Sequence, residues 1–251
     1  MQRSDTDYRS VRLAVATCGD RFCVPCQASR GHVAASNLLA TLGPRPHRLV
    51  TLTKRHVHGP LRSQLDTLIA EFRRLRSTGW WKCHVLGGVA FVETTLSRTD
   101  GHWHPHLHLI CTGNYLPHSE LAPLWSQVTK GSNVVDVRLV RDHAEVAGYV
   151  LGYVRKPLKS HLLHNEPKLV ELIQAYAGRR TVITFGTWHH LKLWKTDPAT
   201  GWSYLCTLEE FVAQAEAGDP TRLEQLASLV ASGGHRSSLP SEIKYLLRSG
   251  P

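Results

Sequence analysis

Four histidines alternate along one short stretch of the chain, at a spacing that suits metal chemistry. Residues 101–110 read GHWHPHLHLI and place His102, His104, His106 and His108 at every second position. Successive side chains of a β-strand point to opposite faces, so a strand here directs all four imidazoles to one side. The intervening side chains are large and apolar and suit a core. Imidazole is the commonest protein metal ligand, so the pattern predicts a metal-binding face on a half-buried strand.

A carboxylate precedes these histidines on a second expected strand. The segment VLGGVAFVETTL ends near Glu93, and an Asp-Gly turn signal at residues 100–101 predicts a hairpin with the histidine strand. One turn register places Glu93 opposite His106, and the next places it opposite His108. Both registers put the carboxylate on the histidine face. An acidic residue inside an apolar strand is expected to be paired or to bind a metal; the alternative is a solvent-facing residue at a strand end.

Two imidazoles and one carboxylate form an open site of nitrogen and oxygen donors. The candidate ligands are Glu93, His106, His108 and His104, of which His104 lies one strand step outside the pair of His106 and His108. This donor set suits Mn²⁺ or Mg²⁺ with positions left for substrate oxygen, whereas a structural zinc site would be richer in sulfur. The competing interpretation is a histidine-rich strand without a metal. The sequence therefore predicts a catalytic divalent metal site.

A cysteine cluster near the N-terminus is a second candidate metal site. Cys18, Cys23 and Cys26 follow a C-x4-C-x2-C spacing that is typical of zinc-binding loops. His32 or Cys206 would have to supply a fourth ligand. The alternative is a set of reduced thiols without a metal, which fits a chain with no secretory signal. The sequence leaves these two interpretations open.

Two tyrosines and a lysine share one face of a predicted helix. Tyr149 and Tyr153 are four residues apart, Lys156 follows three residues later, and Pro157 ends the helical pattern. A tyrosine phenol is a weak nucleophile at its ordinary pKa of about 10, and a nearby cation favours the phenolate. Such a group can attack a phosphodiester and form a covalent phosphotyrosine. The simpler alternative is that these tyrosines only pack in the core.

The charge of the chain points to a nucleic acid partner. The 251 residues include 30 Lys and Arg against 20 Asp and Glu, which gives a formal net charge of +10. Basic side chains that neutralise phosphates release counterions, so a polyanion is the expected partner. No apolar run approaches the length of a membrane span and the N-terminus is polar, so we expect a cytoplasmic protein without a membrane partner. No P-loop motif occurs, so any helicase activity must come from elsewhere.

The surrounding elements indicate how these residues are positioned. The expected order is a strand at 47–53, an amphipathic helix, the hairpin, a helix, a strand, the tyrosine helix and a further strand. This order predicts an α+β fold with an antiparallel sheet flanked by helices. We expect an N-terminal Cys-containing arm over residues 1–46, a catalytic domain over 47–195 and a helical C-terminal extension over 196–251.

Three segments in this order resemble a known family. LVTLT, HPHLHLI and GYVLGYVRK are similar to the three motifs of rolling-circle replication initiators in the HUH endonuclease superfamily of plasmids, phages and transposons. The resemblance implies a ferredoxin-like core. It implies that His106 and His108 bind the metal, that Glu93 is the acidic ligand, that Tyr153 is the nucleophile and that Lys156 is the lysine of a Tyr-x-x-Lys motif.

The resemblance also implies an activity. Such proteins nick one strand of single-stranded or cruciform origin DNA, remain joined to the 5′ phosphate and release a 3′ hydroxyl that primes synthesis. They later rejoin the ends, where Tyr149 would serve as a second nucleophile, and they depend on a host helicase and polymerase. Two alternatives remain: a transposase or relaxase with the same chemistry, and a non-catalytic zinc-containing DNA-binding regulator.

Overall fold

The computed structural model describes residues 1–12, 18–55, 58–97, 99–154, 160–194 and 202–231. Lys156 lies outside these ranges, and the side chain of Tyr153 also lies outside the description. The chain forms two compact units. The larger unit comprises Gly19–Lys195, and the terminal unit comprises Met1–Cys18 with Thr196–Pro251. Glu93, His104, His106 and His108 all belong to the larger unit.

The elements follow each other along the chain in the order that the sequence predicts for the region 47–195, with additional helices. They are β1 (Gln2–Ser4), β2 (Val11–Arg12), α1 (Val24–Leu39), β3 (His47–Thr53), α2 (Leu61–Ser77), α3 (Gly79–His84), β4 (Val85–Leu96), β5 (Trp103–Gly113), α4 (His118–Thr129), β6 (Val135–Leu139), α5 (His143–Val154), α6 (Ser160–Leu163), α7 (Glu166–Tyr176), β7 (Val182–Gly186), β8 (Trp202–Tyr204), α8 (Leu208–Glu216) and α9 (Pro220–Ala231).

The larger unit is built on a five-stranded sheet with the order β6-β3-β5-β4-β7. Every neighbouring pair in this sheet is antiparallel. Helices cover the sheet, so the α+β fold with a central antiparallel sheet is confirmed. The histidine strand β5 occupies the centre and pairs with a strand on each side, so its position is fixed by hydrogen bonds along both edges.

The two faces of the sheet pack against different helices. On one face, Leu107 and Leu109 join a large core that includes side chains of α2, α4 and α7. On the other face, Ile110 and neighbouring apolar residues pack against α1 and α5. The alternation along β5 therefore separates a fully apolar side from the side that carries the histidines, as the spacing predicts.

Helix α2 shows why the helices form where they do. Five apolar residues repeat every three or four positions and are fully buried: Leu61, Leu65, Leu68, Phe72 and Leu75. This spacing places them on one side of the helix, against the sheet. Among the helices of the described ranges, none has both the length and the apolar character of a membrane span.

The β4–β5 hairpin sets the register of the candidate site. Gly101 adopts a φ of +68° in the turn, a conformation that glycine tolerates because it has no Cβ. Glu93 pairs directly with His106, which is the first of the two registers that the turn signal allows. The carboxylate consequently lies on the same face of the sheet as the even-numbered histidines.

The terminal unit has a small core of its own. Strand β1 pairs with both β2 and β8 in a three-stranded sheet. Met1, Val11, Phe211 and Leu226 are buried together in this unit. Helices α8 and α9 lie in the region where the sequence predicts a helical extension, and β8 precedes them. The N- and C-terminal segments of the chain thus fold with each other.

The segment 1–46, which we expected to form one arm, is divided between the two units. Residues 1–18 belong to the terminal unit, whereas α1 packs on the larger unit through Ala34, Ala35 and Leu38. Alanines bury little area and produce a weak periodic pattern, so the sequence does not mark α1 as a core helix. The larger unit ends at Lys195.

Candidate active site

Glu93, His106 and His108 come together on the sheet. One ligand atom from each residue lies within 4.8 Å of the others. The Nε2 atom of His106 lies 3.0 Å from Glu93 Oε2, and Nε2 of His108 lies 2.8 Å from the same oxygen. Glu93 and His108 are buried, and His106 is half-buried. Two ring nitrogens therefore converge on one carboxylate oxygen.

Other polar groups hold the far side of each imidazole. His106 Nδ1 lies 3.0 Å from the carbonyl oxygen of His104. His108 Nδ1 lies 3.2 Å from Thr51 Oγ1 and 3.2 Å from Tyr149 Oη. Hydrogen bonds of this kind fix the ring orientation and the tautomer of a metal-binding histidine. Both rings accordingly turn Nε2 toward Glu93.

The environment keeps His108 neutral. Burial lowers its pKa from 6.5 to about 3, with smaller contributions from His106 and from Arg138. A neutral imidazole can accept at Nδ1 a hydrogen bond from the hydroxyl of Thr51 or Tyr149. A neutral imidazole is also the form that binds a metal, because the ligating nitrogen must offer a lone pair.

The three side chains fit a divalent cation. They supply two imidazole nitrogens and a carboxylate oxygen, and their short separations show that the ligand atoms are already gathered. Three protein ligands leave coordination positions for substrate or water, which distinguishes a catalytic from a closed structural site. The donor chemistry accommodates Mn²⁺ or Mg²⁺ and does not by itself select between divalent ions.

His104 lies outside this group of three. It pairs with Thr95 one strand repeat away from the Glu93–His106 pair, and it is half-buried. Its backbone carbonyl contacts the His106 ring, so His104 contributes to the site through its main chain. His102 lies further along, where its ring packs edge-on against His58 at 4.2 Å between centroids.

The cysteines of the candidate zinc loop lie near the start of α1. Cys23 is the N-cap residue of the helix and Cys26 lies in its first turn, with sulfur atoms within 4.8 Å of each other. Cys18 is exposed and ends the first segment of the terminal unit. His32 is exposed on α1, about 9 Å of helix rise beyond Cys26, and is not grouped with the thiols.

Cys206, the other candidate for a fourth zinc ligand, is buried in the terminal unit. Its carbonyl oxygen accepts a 2.8 Å hydrogen bond from the amino group of Met1. The side chain belongs to the apolar cluster that includes Phe211 and Leu226. A thiol in such surroundings behaves as a small apolar side chain.

Helix α5 brings a tyrosine to Glu93, His106 and His108, which we call the metal group. Val146 and Val150 are buried against the sheet, and the half-buried Tyr149 lies between them in sequence. This packing brings the Tyr149 hydroxyl to His108 and places the two rings edge-on with centroids 5.9 Å apart. Tyr153 lies one helical turn later in α5.

Two residues near the site were not singled out from the sequence. Thr51 pairs with His108 across β3 and β5, and its hydroxyl contacts the His108 ring. Arg138 lies on β6 and is close enough to affect the pKa of His108. Thr51 lies within the LVTLT segment, but its approach to His108 depends on β3 being the neighbour of β5, which no local pattern specifies.

Comparisons with known proteins identify related sequences. The family model described as "Replication protein" matches residues 10–221. A relative named "Protein rep" from a Bacillus species is 30% identical over 148 residues, which cover 55% of this chain and 46% of the relative. A second "Protein rep", from Bacillus amyloliquefaciens, is 29% identical over 149 residues, which cover 55% of this chain and 42% of the relative.

A third "Protein rep", from Streptococcus pneumoniae serotype 2, is 28% identical over 135 residues, which cover 48% of this chain and 42% of the relative. The chain thus spans less than half the length of the curated relatives it matches. No solved structure matches significantly. The family match extends over most of the chain, and the chain therefore belongs to the replication protein family, in agreement with the resemblance to rolling-circle replication initiators.

Proposed function

We propose that this chain is a metal-dependent DNA nicking and joining enzyme that acts at a replication origin. The observation that carries the proposal is the chain of contacts from Glu93 through His108 to Tyr149. Glu93 Oε2 lies 2.8 Å from one nitrogen of the His108 ring, and Tyr149 Oη lies 3.2 Å from the other. A nucleophile candidate and a candidate metal site are thereby joined through a single imidazole.

Glu93, His106 and His108 would hold a Mn²⁺ or Mg²⁺ ion. When bound, the ion would polarise the scissile phosphate and neutralise the charge that develops on it. The protein residues contribute orientation: β5 is held on both edges, and Thr51 and the His104 carbonyl fix the two rings. Rigid positioning of the ligands is what a phosphoryl transfer site requires of the protein.

The His108 ring would also favour attack by a phenol. In the tautomer that presents a lone pair at Nε2, Nδ1 carries the proton and can donate it in a hydrogen bond to Tyr149 Oη. Such a bond favours the phenolate, and the phenol proton would pass to solvent. The phenolate oxygen would bond to phosphorus while the P–O3′ bond breaks, and the 3′ oxygen would take up a proton to give a free hydroxyl. The product is a 5′-phosphotyrosine.

The two tyrosines of α5 would have distinct roles. The Tyr-x-x-Lys motif favours Tyr153 with Lys156 as the first nucleophile, whereas the contact with His108 supports Tyr149. We propose Tyr149 for first nicking because its hydroxyl is already beside a candidate ligand. Tyr153, one helical turn away, would then serve in rejoining the strand, with Lys156 stabilising charge on the phosphate.

The proposed substrate is single-stranded or cruciform origin DNA. The net charge of +10 supports a polyanionic partner, and membership of the replication protein family favours initiation over transposition or mobilisation. The free 3′ hydroxyl would prime a host polymerase, and a host helicase would unwind the duplex. A non-catalytic DNA-binding role gives no reason for Glu93, His106 and His108 to lie so close together.

The test is formation of a covalent adduct. Labelled single-stranded oligonucleotides that tile the DNA around the coding sequence are incubated with the protein and Mn²⁺, then separated under denaturing conditions. We expect an adduct on one oligonucleotide with the wild type and none with His108→Ala. His84→Ala is the matched control, because His84 lies in α3 and outside the metal group. If none of the oligonucleotides forms an adduct, the proposal is contradicted.

A further inference from the structure

A positively charged cleft lies along one edge of the sheet, apart from the metal group. A cleft of about 630 Å³ runs between α2 and the edge strand β7. Five arginines line it: Arg62, Arg73, Arg76, Arg179 and Arg180. Asp66 is the acidic residue among its lining side chains. A concave surface with this balance concentrates positive potential and attracts anions.

Arg62, Arg73 and Arg76 lie on the same face of α2 as Asp66 and Ile69. Residues 62, 66, 69, 73 and 76 follow one another at alternating steps of four and three, so they share one helical face. Fourteen residues of helix separate the first from the last, which corresponds to about 21 Å. The positive surface is thus elongated, and its length suits several consecutive phosphates of one strand rather than a single small anion.

The arginines of the cleft differ in how they are held. Arg179 is tied down by Asp66, with 2.7 Å between Nη1 and Oδ1, and by the carbonyl oxygen of Ala175. Arg76 lies over the rings of Phe72 and Phe185, at 4.8 and 5.4 Å from their centroids.

Arg73 and Arg180 are exposed at the cleft. Burial lowers the pKa of Arg76, and the like charge of Arg73 lowers it further. Arginines that repel one another gain from an anion placed between them.

A backbone hydrogen bond links the segment that follows Arg180 to β4, the strand that carries Glu93. The carbonyl oxygen of Thr181, directly after Arg180, accepts a 2.7 Å hydrogen bond from the amide of Val92. Val92 immediately precedes Glu93. Helix α2 packs on the face of the sheet opposite to the face that carries His106 and His108. The cleft and the metal ligands thus lie on opposite faces of the sheet, and a DNA strand that joins them would pass around the edge strand β7.

We propose that this cleft binds the phosphodiester backbone of the DNA strand that leads to the nicking site. Arginine guanidinium groups recognise phosphates through paired N–H donors, and backbone contacts of this kind position a strand without reading its bases. The choice of DNA as the polyanion rests on the proposed function. The cleft itself would add affinity and fix the path of the strand, and it would take no part in the chemistry.

The test measures binding of fluorescein-labelled oligo(dT) by anisotropy in EDTA, where no cleavage is needed. The test variant is Arg73→Gln with Arg180→Gln, both at exposed positions. The control is Arg74→Gln with Lys82→Gln, which removes the same charge from exposed positions outside the cleft lining. Circular dichroism and thermal unfolding check that each variant folds.

We expect the test variant to bind roughly 25-fold more weakly at 0.1 M salt, and its salt slope to fall by roughly 1.4, the effect of two single-strand phosphate contacts. The control should stay within about threefold of the wild type. If the double variant unfolds, each single variant should lose roughly fivefold in affinity.

Equal losses in test and control, or wild-type affinity of the test variant, overturn the proposal. A missing covalent adduct with an intact cleft effect would reject the nicking proposal alone.

Discussion

Glu93 and His106 are directly paired residues on neighbouring antiparallel strands, and the carboxylate Oε2 lies 3.0 Å from His106 Nε2. The same oxygen lies 2.8 Å from His108 Nε2, two residues further along β5. One register of strand pairing thus brings two imidazoles to one carboxylate. The proposed metal site depends on that register and on the alternation of side chains in a strand.

Replacing a proposed ligand should remove cleavage and spare DNA affinity. His106→Ala and His108→Ala are each expected to reduce adduct formation at least 100-fold, because two remaining ligands hold the ion poorly. Non-specific oligonucleotide binding should change little, since phosphate contacts supply it. His104→Ala is the matched control on the same face of the strand. An equal loss of adduct in all three variants would show that the ligand set is wrong.

Glu93→Gln should alter metal dependence more than folding. The amide retains the size of the side chain but offers a weaker, neutral oxygen to a cation. We expect a higher Mn²⁺ concentration for half-maximal nicking and a thermal midpoint close to that of the wild type in EDTA. A metal titration that matches the wild type would argue against Glu93 as a ligand.

The two tyrosines of α5 should separate by reaction step. Tyr149→Phe is expected to abolish the first covalent adduct, because its hydroxyl contacts His108. Tyr153→Phe should leave first nicking within about threefold of the wild type and impair rejoining. A tenfold loss of nicking rate would correspond to about 1.4 kcal/mol at the transition state, and we expect less than that. Separate nicking and strand-joining assays distinguish the steps. The reverse result would assign Tyr153, as the Tyr-x-x-Lys motif favours.

A buried ion pair should be important for stability of the larger unit. Lys54 Nζ lies 3.0 Å from Glu71 Oε2, and both side chains are almost inaccessible to solvent. Glu71→Gln leaves the Lys54 ammonium in a buried position without its counter-charge, so unfolding free energy should fall by about 3 kcal/mol. Urea unfolding measures the change. Lys54→Met combined with Glu71→Leu should recover much of the loss, and failure to recover would argue that packing dominates.

The cysteine loop should respond to substitution only if zinc is present. If the cluster binds zinc, Cys23→Ser and Cys26→Ser will each release the ion and lower the thermal midpoint. Elemental analysis of the wild type, purified without chelator, is the direct measurement. Cys83→Ser is the control, because this exposed cysteine lies in α3. A zinc content well below one equivalent per chain would favour the interpretation that the cysteines are reduced thiols without a metal.

Local patterns in the sequence predicted the centre of the fold. The alternation in β5, the apolar period of α2 and the turn at residues 100–101 are each short-range signals, and the structure contains all three elements. The pairing of Glu93 with His106 follows from the same signals, because a hairpin turn fixes register within one or two residues. This part of the candidate site was therefore accessible from the sequence.

Other parts of the site depend on contacts between distant segments. Thr51 reaches His108 only because β3 lies beside β5, and Tyr149 reaches it only because α5 packs on that face of the sheet. Helical periodicity shows that two tyrosines share a face, but it does not give the distance of either one to another element. The cleft arginines combine α2 with the segment before β7, which a linear pattern does not join.

The central position of β5 also determines which part of the site is lost first in local unfolding. His108 sits on a strand with hydrogen-bonded partners on both sides, whereas Tyr149 belongs to a helix that rests on the sheet through side chains such as Val146 and Val150. In native-state hydrogen exchange, the amides of β5 should be released only by global unfolding, and those of α5 by a smaller local opening. Mild destabilisation would thus detach the tyrosine while the imidazoles stay in place, so that strand transfer fails before metal binding does.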